Sequence, residues 1–581
     1  MRFLSETAVR EKFIIMNSDK LIAHWPLRGD ARDVVGGFHG KSRRVRWVAG
    51  ADGGEKGAAL FNGRESVIEV ANDPALQLGT APFTFTAMIK CHAPMRGVFG
   101  DVLSKFDTRT RCGLNINVSG GSAGYSGQSY ARHLHAGIDD AYMGPWLDHG
   151  RPEVEGSRNP LVSTLTPYNG KLYAGVTDAR DADSACRVFS WAGGDKWVNC
   201  GRVSPDPACP SVMSMVAHDG GLYVGTGSWD WGRAQQYSWK KPPITISGVY
   251  RYEGGTKWRD LEFPAQAQRL LTMTSFEGRL YAATDRGAEG HCFAYDGERW
   301  HDCGKLDERD NFECLFAHGG SLYGASHIAI YRYEGKKHWR CLTRRPYDII
   351  QIHALQGYGG ALWAGTWPQG YILRHEGGEA WTNTGLVGIS TYQPGVAQIN
   401  EINSLGVHNG KLYAGVLPKA QIYRYEQDGQ WTLLGNFASS RGYTEKVCPT
   451  WMRILSLTTF QGALFACNGT SQARTEDSDP DLNAGRVMSC QAGLTASYDY
   501  DLGDGWNHIA VARRGSALSL YVNGKLAQRS TIPKNVYLHL GNGEPLLIGS
   551  GAQGGFDGAI SDVRLYGAAL SAAEIRSAAK L

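Results

Sequence analysis

Six residues in the middle of the chain have side chains suited to acid–base chemistry on an acidic sugar. Removing a proton from the carbon next to a carboxylate needs a base such as His or Tyr, and it needs a cation to neutralise the carboxylate. Both types occur in segments that follow short strand patterns, and we predict that they converge on one central cavity. The candidate catalytic residues are His327, His353, Tyr347, Tyr443, Arg345 and Arg453.

A second set of side chains is typical of sugar binding. Flat aromatic rings stack on sugar rings, and planar polar groups bind hydroxyls and carboxylates. Such residues lie in the same long segments of the chain. The candidate substrate-binding residues are Trp229, Trp231, Arg233, Arg286, Trp367, Gln369, Tyr392 and Lys419.

Other kinds of catalytic site have less support in the sequence. A glycosidase needs two carboxyl groups roughly 5–9.5 Å apart, and no spacing selects a pair from Asp230, Glu313, Glu401 and Glu476. The repeated S-x-D-x-G-x-T-W box of sialidases is absent, which weakens that alternative. No G-x-S-x-G, H-E-x-x-H, Walker or G-x-G-x-x-G context supports a serine hydrolase, a zinc protease or a nucleotide-binding protein.

A short phrase that recurs seven times gives the elements that must position these residues. It consists of a turn ending in Gly, one more residue and an apolar pair, as in NGKLYAG from Asn169 and EGRLYAA from Glu277. An alternating apolar segment precedes each copy, and a strand pair ending in Trp follows most copies, as in VYRYEGGTKW up to Trp258. Each repeat of about 40 to about 58 residues therefore predicts four short strands joined by Gly turns, which is the size of a propeller blade.

The two kinds of connection in these repeats differ in length and chemistry. The turns inside the strand pairs are short and uniform, whereas the connections between strands 2 and 3 and between blades are long and varied. Function concentrates on loops held by a rigid scaffold, so we predict that the varied face carries the site. A strand near Trp146 is predicted to pair with residues 486–490 and close the ring, giving a seven-bladed propeller over residues 140–491.

The two flanks of the propeller, residues 21–139 and 492–581, also have strand patterns, but neither has enough strands for a sandwich alone. They contain Gly505-Trp506-Asn507-His508, Leu520-Tyr521-Val522-Asn523-Gly524 and Phe556-Asp557-Gly558 leading to Tyr566. Together they resemble the laminin-G-like, concanavalin A-type jelly roll. The resemblance implies an all-β protein in which a β-sandwich is split by the inserted propeller, with residues 1–20 as an N-terminal extension. Surface loops tolerate such insertions.

Members of that family often bind glycans or proteins and often hold calcium. Asp30, Asp33 and Asp562 match the region where such domains place the ion, and calcium takes six to eight oxygen ligands. The resemblance thus implies a structural calcium site. The alternative is that these Asp residues cap turns.

The composition sets further limits. Lys+Arg 60 against Asp+Glu 56 gives a net charge of +4, too small an excess to indicate a nucleic-acid partner. No apolar run approaches the ~20 residues of a membrane helix, and no signal-peptide core is visible. We therefore expect no membrane insertion and a cytoplasmic location, with an extracellular one open if the natural precursor is longer. The 12 cysteines contain no CxxC pair, and only Cys292 with Cys303 and Cys91 with Cys112 suggest disulfides.

Two functional hypotheses follow. The first is a carbohydrate-active enzyme that works in the propeller cavity on a polysaccharide or oligosaccharide, including uronate polymers, as a β-eliminating lyase or a glycosidase, with the sandwich as accessory module. The second is a non-catalytic protein that binds a glycan or a protein partner. A deep charged cavity with a His or Tyr within ~3 Å of another polar group favours catalysis. A shallow aromatic surface favours binding alone. The sugar and the oligomeric state stay open.

Overall fold

The computed structural model describes residues 20–580 except 93, 95, 98–99, 121–122, 125–126, 130, 156, 158–160, 178–184, 208, 229–246, 266, 286–289, 309, 389–399, 439–451 and 471–482. The strands before the propeller are β1 (Leu21–Trp25), β2 (Gly40–Arg43), β3 (Arg46–Val48), β4 (Ala58–Asn62), β5 (Val67–Val70), β6 (Phe83–Cys91), β7 (Gly100–Asp107), β8 (Cys112–Ser119), β9 (Ala123–Gly124) and β10 (His133–Met143), with a 3-10 turn at Pro74–Leu76.

The propeller consists of seven four-stranded blades among the described residues. Blade 1 is β12 (Leu161–Tyr168), β13 (Lys171–Thr177), β14 (Arg187–Gly193) and β15 (Lys196–Arg202). Blade 2 is β16 (Ser211–His218), β17 (Gly221–Gly227), β18 (Val249–Gly254) and β19 (Lys257–Asp260). Blade 3 is β20 (Arg269–Phe276), β21 (Arg279–Asp285), β22 (His291–Tyr295) and β23 (Trp300–Lys305). Blade 4 is β24 (Cys314–His318), β25 (Ser321–Ala325), β26 (Ala329–Gly335) and β27 (His338–Arg344).

The remaining blades continue the same pattern. Blade 5 is β28 (Gln351–Tyr358), β29 (Ala361–Trp367), β30 (Tyr371–Gly377) and β31 (Ala380–Leu386). Blade 6 is β32 (Glu401–His408), β33 (Lys411–Leu417), β34 (Gln421–Gln427) and β35 (Gln430–Asn436). Blade 7 is β36 (Arg453–Phe460), β37 (Ala463–Gly469), β38 (Val487–Cys490) and, from the other end of the propeller, β11 (Leu147–Asp148).

The ring is closed by strands from both ends of the inserted segment. Leu147 and Asp148 pair with Ser489 and Met488, as the sequence predicts for the strand near Trp146. The innermost strand of blade 1 also meets the second strand of blade 7, since Leu161 pairs with Gly469. Closure of this kind leaves no open sheet edge at the seam.

The flanks form one β-sandwich, and the fold class predicted from the sequence is confirmed. The strands after the propeller are β39 (Ala492–Tyr498), β40 (Trp506–Arg514), β41 (Ala517–Val522), β42 (Lys525–Thr531), β43 (Leu546–Ile548) and β44 (Asp557–Tyr566), followed by helix α1 (Ala572–Ala578). One sheet has the order β3-β4-β44-β6-β40-β41-β42, with β1 beside β44, and the other has the order β2-β5-β43-β7-β8-β10-β39. Both sheets need strands from both ends of the chain.

Strand alternation in the second sheet gives it two different faces. Leu114 and Ile116 point into the sandwich core, whereas Asn115 points to the propeller and donates to Asn409 Oδ1 at 2.9 Å. Farther along the interface, Gly462 N donates to Ser497 Oγ at 2.9 Å. The uniform turns on the propeller underside therefore dock on the polar face of the sandwich.

A segment of the sandwich enters the propeller ring. Strand β9 (Ala123–Gly124) pairs with the innermost strands β32 and β36. Gln128 Oε1 accepts from Ala317 N of blade 4 at 2.9 Å, and Ser129 Oγ accepts from Ala217 N of blade 2 at 3.2 Å. The sandwich end of the central channel is thus filled by this segment, which leaves the varied face for a ligand.

Two smaller expectations have different outcomes. Cys91 and Cys112 lie in β6 and β8, which belong to different sheets, so their predicted position on neighbouring strands is wrong. Cys292 and Cys303 do lie on the neighbouring strands β22 and β23, as free thiols. In the part of the chain that the structure describes, no helix has the length and apolar character to span a bilayer.

Candidate functional site

The third residue of the innermost strand lies where the pairing between the first two strands of a blade is interrupted. In blades 1, 2, 3, 5, 6 and 7 the register between the first two strands shifts at this point. A β-bulge leaves one residue out of the ladder and redirects its side chain. Around the ring the seven equivalent residues are Ser163, Met213, Leu271, Glu313, His353, Asn403 and Leu455.

These equivalent positions divide the channel into an apolar and a polar half. Met213, Leu271 and Leu455 are fully buried in one hydrophobic cluster that joins blades 1, 2, 3 and 7. Blades 4, 5 and 6 carry Glu313, His353 and Asn403 instead. Burying polar groups is costly unless they are paired, so the polar half marks a place where the repeat departs from simple core packing.

Glu313 is the centre of the polar half. Its Oε1 lies 2.5 Å from His327 Nε2, and its Oε2 lies 3.6 Å from His353 Nδ1. The Glu313 side chain is only 2% exposed. Burial opposes ionisation of this carboxyl, but its contacts with the two imidazoles hold the pKa of Glu313 well below its usual range.

The polar contacts continue into blades 6 and 7. His353 Nε2 lies 3.4 Å from Glu401 Oε1, which also accepts from Asn403 Nδ2 at 2.5 Å. The other oxygen of Glu401 lies 3.9 Å from a guanidinium nitrogen of Arg453. We call Glu313, His327, His353, Glu401, Asn403 and Arg453 the channel cluster.

His327 is the accessible member of the channel cluster. Its side chain is 36% exposed, whereas Glu313, His353, Glu401 and Arg453 are buried. With Nε2 facing Glu313, the ring presents Nδ1 to a ligand. A buried carboxylate behind an exposed imidazole orients the ring, which is the arrangement of a general base.

Three of the six candidate catalytic residues come together: His327, His353 and Arg453 all belong to the channel cluster. The backbone of Arg345 lies next to the residue that follows His327, because its N donates to Ile328 O at 2.7 Å, and its side chain is exposed.

Tyr347 lies elsewhere. Its hydroxyl donates to Trp381 O at 3.3 Å and accepts from Asn383 N at 3.1 Å. The connection after β27 carries Tyr347 over the outer strand β31. Contrary to the expectation, Tyr347 therefore does not reach the channel.

The substrate-binding candidates divide in a similar way. Trp367 is the last residue of β29. Gln369 and Lys419 occupy equivalent loops of blades 5 and 6, where they form isolated β-bridges with Asn400 and Met452, respectively. These loops lie on the same face as His327. The candidates Trp229, Trp231, Arg233, Arg286, Tyr392 and Tyr443 lie outside the described residues.

Glu313, Glu401 and Asn403 were not selected by residue type and spacing. Residue type alone places both Glu residues among four carboxylates from which no spacing selects a pair, and it does not indicate Asn403. The signal that finds Glu313 and Asn403 is the alignment of the seven innermost strands, because one position then holds Glu, His and Asn in blades 4, 5 and 6, Met or Leu in blades 2, 3 and 7, and Ser in blade 1.

The three carboxylates predicted to hold calcium make other contacts. Asp33 accepts hydrogen bonds from four backbone amides. Asp562 Oδ1 lies 2.7 Å from His24 Nε2 and 3.0 Å from Arg564 Nε, and Asp30 accepts from the amide two residues on. Within the described ranges, no three His, Cys, Asp or Glu side chains are grouped to hold a metal. These contacts do not fit calcium, which stays an untested prediction.

Fold and site together define a propeller with an acid–base cluster in its channel, inserted in a concanavalin A-like sandwich. Residues 435–576 match the model of the Concanavalin A-like lectin/glucanases superfamily. The match covers less than half of the chain and includes three strands of blade 7 with most of the second part of the sandwich. A sequence comparison with curated proteins gives no match.

Solved structures with a similar backbone are propellers. Virginiamycin B lyase from Staphylococcus aureus has 10% identity and a TM-score of 0.39, over 60% of this chain and 99% of that chain. The WD40 β-propeller domain of Doa1 has 10% identity and a TM-score of 0.35, over 60% and 97%. Trypanosoma rangeli sialidase with the inhibitor DANA has 11% identity and a TM-score of 0.31, over 76% and 94%. Likeness at this level does not bear on the function of this chain.

Proposed function

We propose that this protein is a carbohydrate-active enzyme that cleaves a uronate-containing polysaccharide or oligosaccharide by β-elimination at the channel cluster. The observation that carries the proposal is the 2.5 Å contact between the exposed His327 and the buried Glu313. A half-exposed imidazole against a buried, ionised carboxylate is the geometry of a positioned base.

The reaction needs a base, a cation and a proton for the leaving group. His327 Nδ1 takes the proton from the sugar carbon next to the carboxylate, and the electron pair forms a carbon–carbon double bond as the glycosidic C–O bond breaks. The leaving oxygen then takes a proton from the imidazolium. The cation that neutralises the uronate carboxylate is Arg345, whose backbone is bonded to the residue after His327.

A glycosidase mechanism fits the same residues less well. Its general acid must be protonated at working pH, so its pKa has to be raised. The pKa of Glu313 is shifted in the opposite direction, because the two histidines favour its charged form. Glu313 is therefore suited to orient His327 and is poorly suited to donate a proton.

The test is incubation of the purified protein with a panel of uronate polymers, followed by the ultraviolet absorbance of the unsaturated product. His327→Ala is expected to lower kcat by about 10²–10⁴-fold. The matched control is His301→Ala, since His301 also contacts a carboxylate at 2.5 Å, that of Asp296, but on the outer edge of blade 3. Absence of product with every polymer would contradict the proposal, as would equal activity of the two variants.

Non-catalytic carbohydrate recognition is the second candidate function. It is favoured by the match of residues 435–576 to a superfamily that includes lectins. Under this alternative, a glycan binds to the wild-type protein and to His327→Ala with similar affinity, and no product forms.

A further inference from the structure

A cavity lies between the sandwich and the underside of blades 4 and 5, at the end of β24 opposite Glu313. This interdomain cleft has a volume of about 560 Å³. Its lining includes Arg64 of the sandwich and the propeller residues Tyr323, Arg332, Gln356, His375 and Glu376. Ligand pockets of a few hundred Å³ occur preferentially at such domain interfaces.

Tyr323 is the feature that distinguishes this cleft from ordinary surface. It occupies the aromatic position of the repeated phrase on the second strand of the blade. At the six equivalent positions the ring is buried: Tyr173, Tyr223, Tyr281, Trp363, Tyr413 and Phe465. Tyr323 is partly exposed and faces the cleft.

The exposure of Tyr323 has an identifiable cause in the next blade. At four of the six other seams the strand-2 aromatic packs against an aromatic on the third strand of the following blade, as in Tyr173 with Tyr252 at 5.8 Å and Trp363 with Tyr425 at 5.0 Å. The residue equivalent to Tyr252 in blade 5 is His375. Its ring lies against Trp381 of its own blade at 4.8 Å, as Tyr252 lies against Trp258 at 4.9 Å, but among the described residues no ring contact joins His375 to Tyr323.

The groups around Tyr323 suit a polyhydroxylated ligand. Arg332 is its cross-strand partner, and Gln356 and Glu376 add an amide and a carboxylate to the lining. An exposed ring with mixed donors and acceptors matches a sugar, which offers a flat apolar face and many hydroxyls. A ligand with a single strong charge would instead need lining side chains that all carry the opposite charge.

We infer that the interdomain cleft is a second carbohydrate-binding site, which takes an oligosaccharide of two or three units with one ring stacked on Tyr323. The volume suits such a ligand. The site is separate from the acid–base chemistry at His327, although β24 and β28 reach both: Cys314 follows Glu313 at one end, and His318 lines the cleft at the other.

The test uses the full chain and a set of fluorescently labelled disaccharides and trisaccharides of glucose, galactose, N-acetylglucosamine and uronic acids. We expect at least one to bind saturably. His375→Tyr restores the residue type found at other seams and fills the cleft, so it is expected to weaken binding by at least about tenfold while the protein stays folded. Tyr323→Ala is expected to have the same effect by removing the stacking ring.

Two control variants show whether the sugar binds in the cleft itself. His338→Tyr makes the same substitution on a His with 67% side-chain exposure on the outer strand of blade 4 and is expected to bind like the wild type. His327→Ala is expected to keep this binding, and His375→Tyr is expected to keep lyase activity, so each proposal can fail alone. Failure of every sugar to bind, capture of peptides in place of sugars, or wild-type affinity of His375→Tyr would overturn the inference.

Discussion

Glu313 shows how a single residue gains its properties from its neighbours. In water a Glu carboxyl titrates near 4.3, and burial alone would raise that value. Between His327 and His353 the pKa of Glu313 falls instead, so the side chain is ionised at neutral pH. The 2.5 Å contact places Nε2 of His327 toward the carboxylate, which leaves Nδ1 for a substrate.

Removing the charge of Glu313 should therefore weaken both stability and activity. Because the folded-state pKa is depressed, ionised Glu313 stabilises the native state above the unfolded pKa of about 4.3, and this contribution is lost as pH falls. We expect Glu313→Gln to destabilise the propeller by about 3–5 kcal/mol at pH 7, as for other broken buried ion pairs. The difference from the wild type should shrink in acid.

Urea unfolding of both proteins across the acid range measures this effect. Glu334→Gln is a suitable control, since Glu334 contacts Arg332 at the surface and should have little influence. A constant gap between Glu313→Gln and the wild type at all pH values would show that the Glu313 charge is not responsible.

At the scale of elements, the bulged innermost strands do two jobs. In six blades the bulge redirects one side chain, and small hydroxyls on these strands join neighbouring blades. Ser163 Oγ donates to Val212 O at 2.6 Å, and Ser404 Oγ donates to Ile454 O at 2.8 Å. These bonds cross from one blade to the next, so each strand holds its neighbour in register.

The apolar half of the channel should contribute much of the ring's stability. Leu455 is fully buried in the cluster that joins blades 1, 2, 3 and 7. Leu455→Ala is expected to lower the free energy of unfolding of the propeller by about 2–5 kcal/mol, because it removes buried apolar surface and leaves a cavity.

The same truncation at an exposed leucine provides the comparison. Leu433 on the outer strand of blade 6 is 41% exposed, and Leu433→Ala should change stability by no more than about 0.5 kcal/mol. Thermal or urea unfolding of the two variants measures the contrast, and similar values would mean that the channel is not a packed core.

On the scale of the whole molecule, the sandwich surrounds the insertion point of the propeller. Strand β10 ends at Met143 and β39 begins at Ala492, and these two residues pair with each other. The ends of the inserted segment are therefore one strand spacing apart. A domain inserted between adjacent paired strands leaves the host sheet intact.

The sandwich should fold without the propeller. Replacing residues 144–491 by an Asn-Gly turn joins Met143 to Ala492 as a hairpin. The face that this exposes carries polar side chains such as Asn115, Asn117 and Ser497, so it tolerates water. We expect a cooperatively unfolding β-protein by circular dichroism and calorimetry. A chain without a thermal transition would show that the sandwich requires the propeller interface.

Much of the architecture follows from local patterns in the chain. Period-two alternation, Gly turns and seven copies of one phrase determine the blades, because strand pairs and tight turns are set by neighbouring residues. The side-chain types of His327, His353 and Arg453 were sufficient to propose a site near the channel. The need for strands from both flanks indicated a split sandwich.

Tertiary structure alone decided which groups meet. Glu313 and His327 come together because Glu313 directly precedes β24 and His327 lies in the loop after β25, and Tyr347 lies away from them because its loop turns toward an outer strand. Insertion of β9 into the ring, and the exposure of Tyr323 opposite His375, depend on contacts between distant parts of the chain. Strand patterns fix the period of a repeat, but contacts across blades and domains depend on ring closure and docking, which no local spacing encodes.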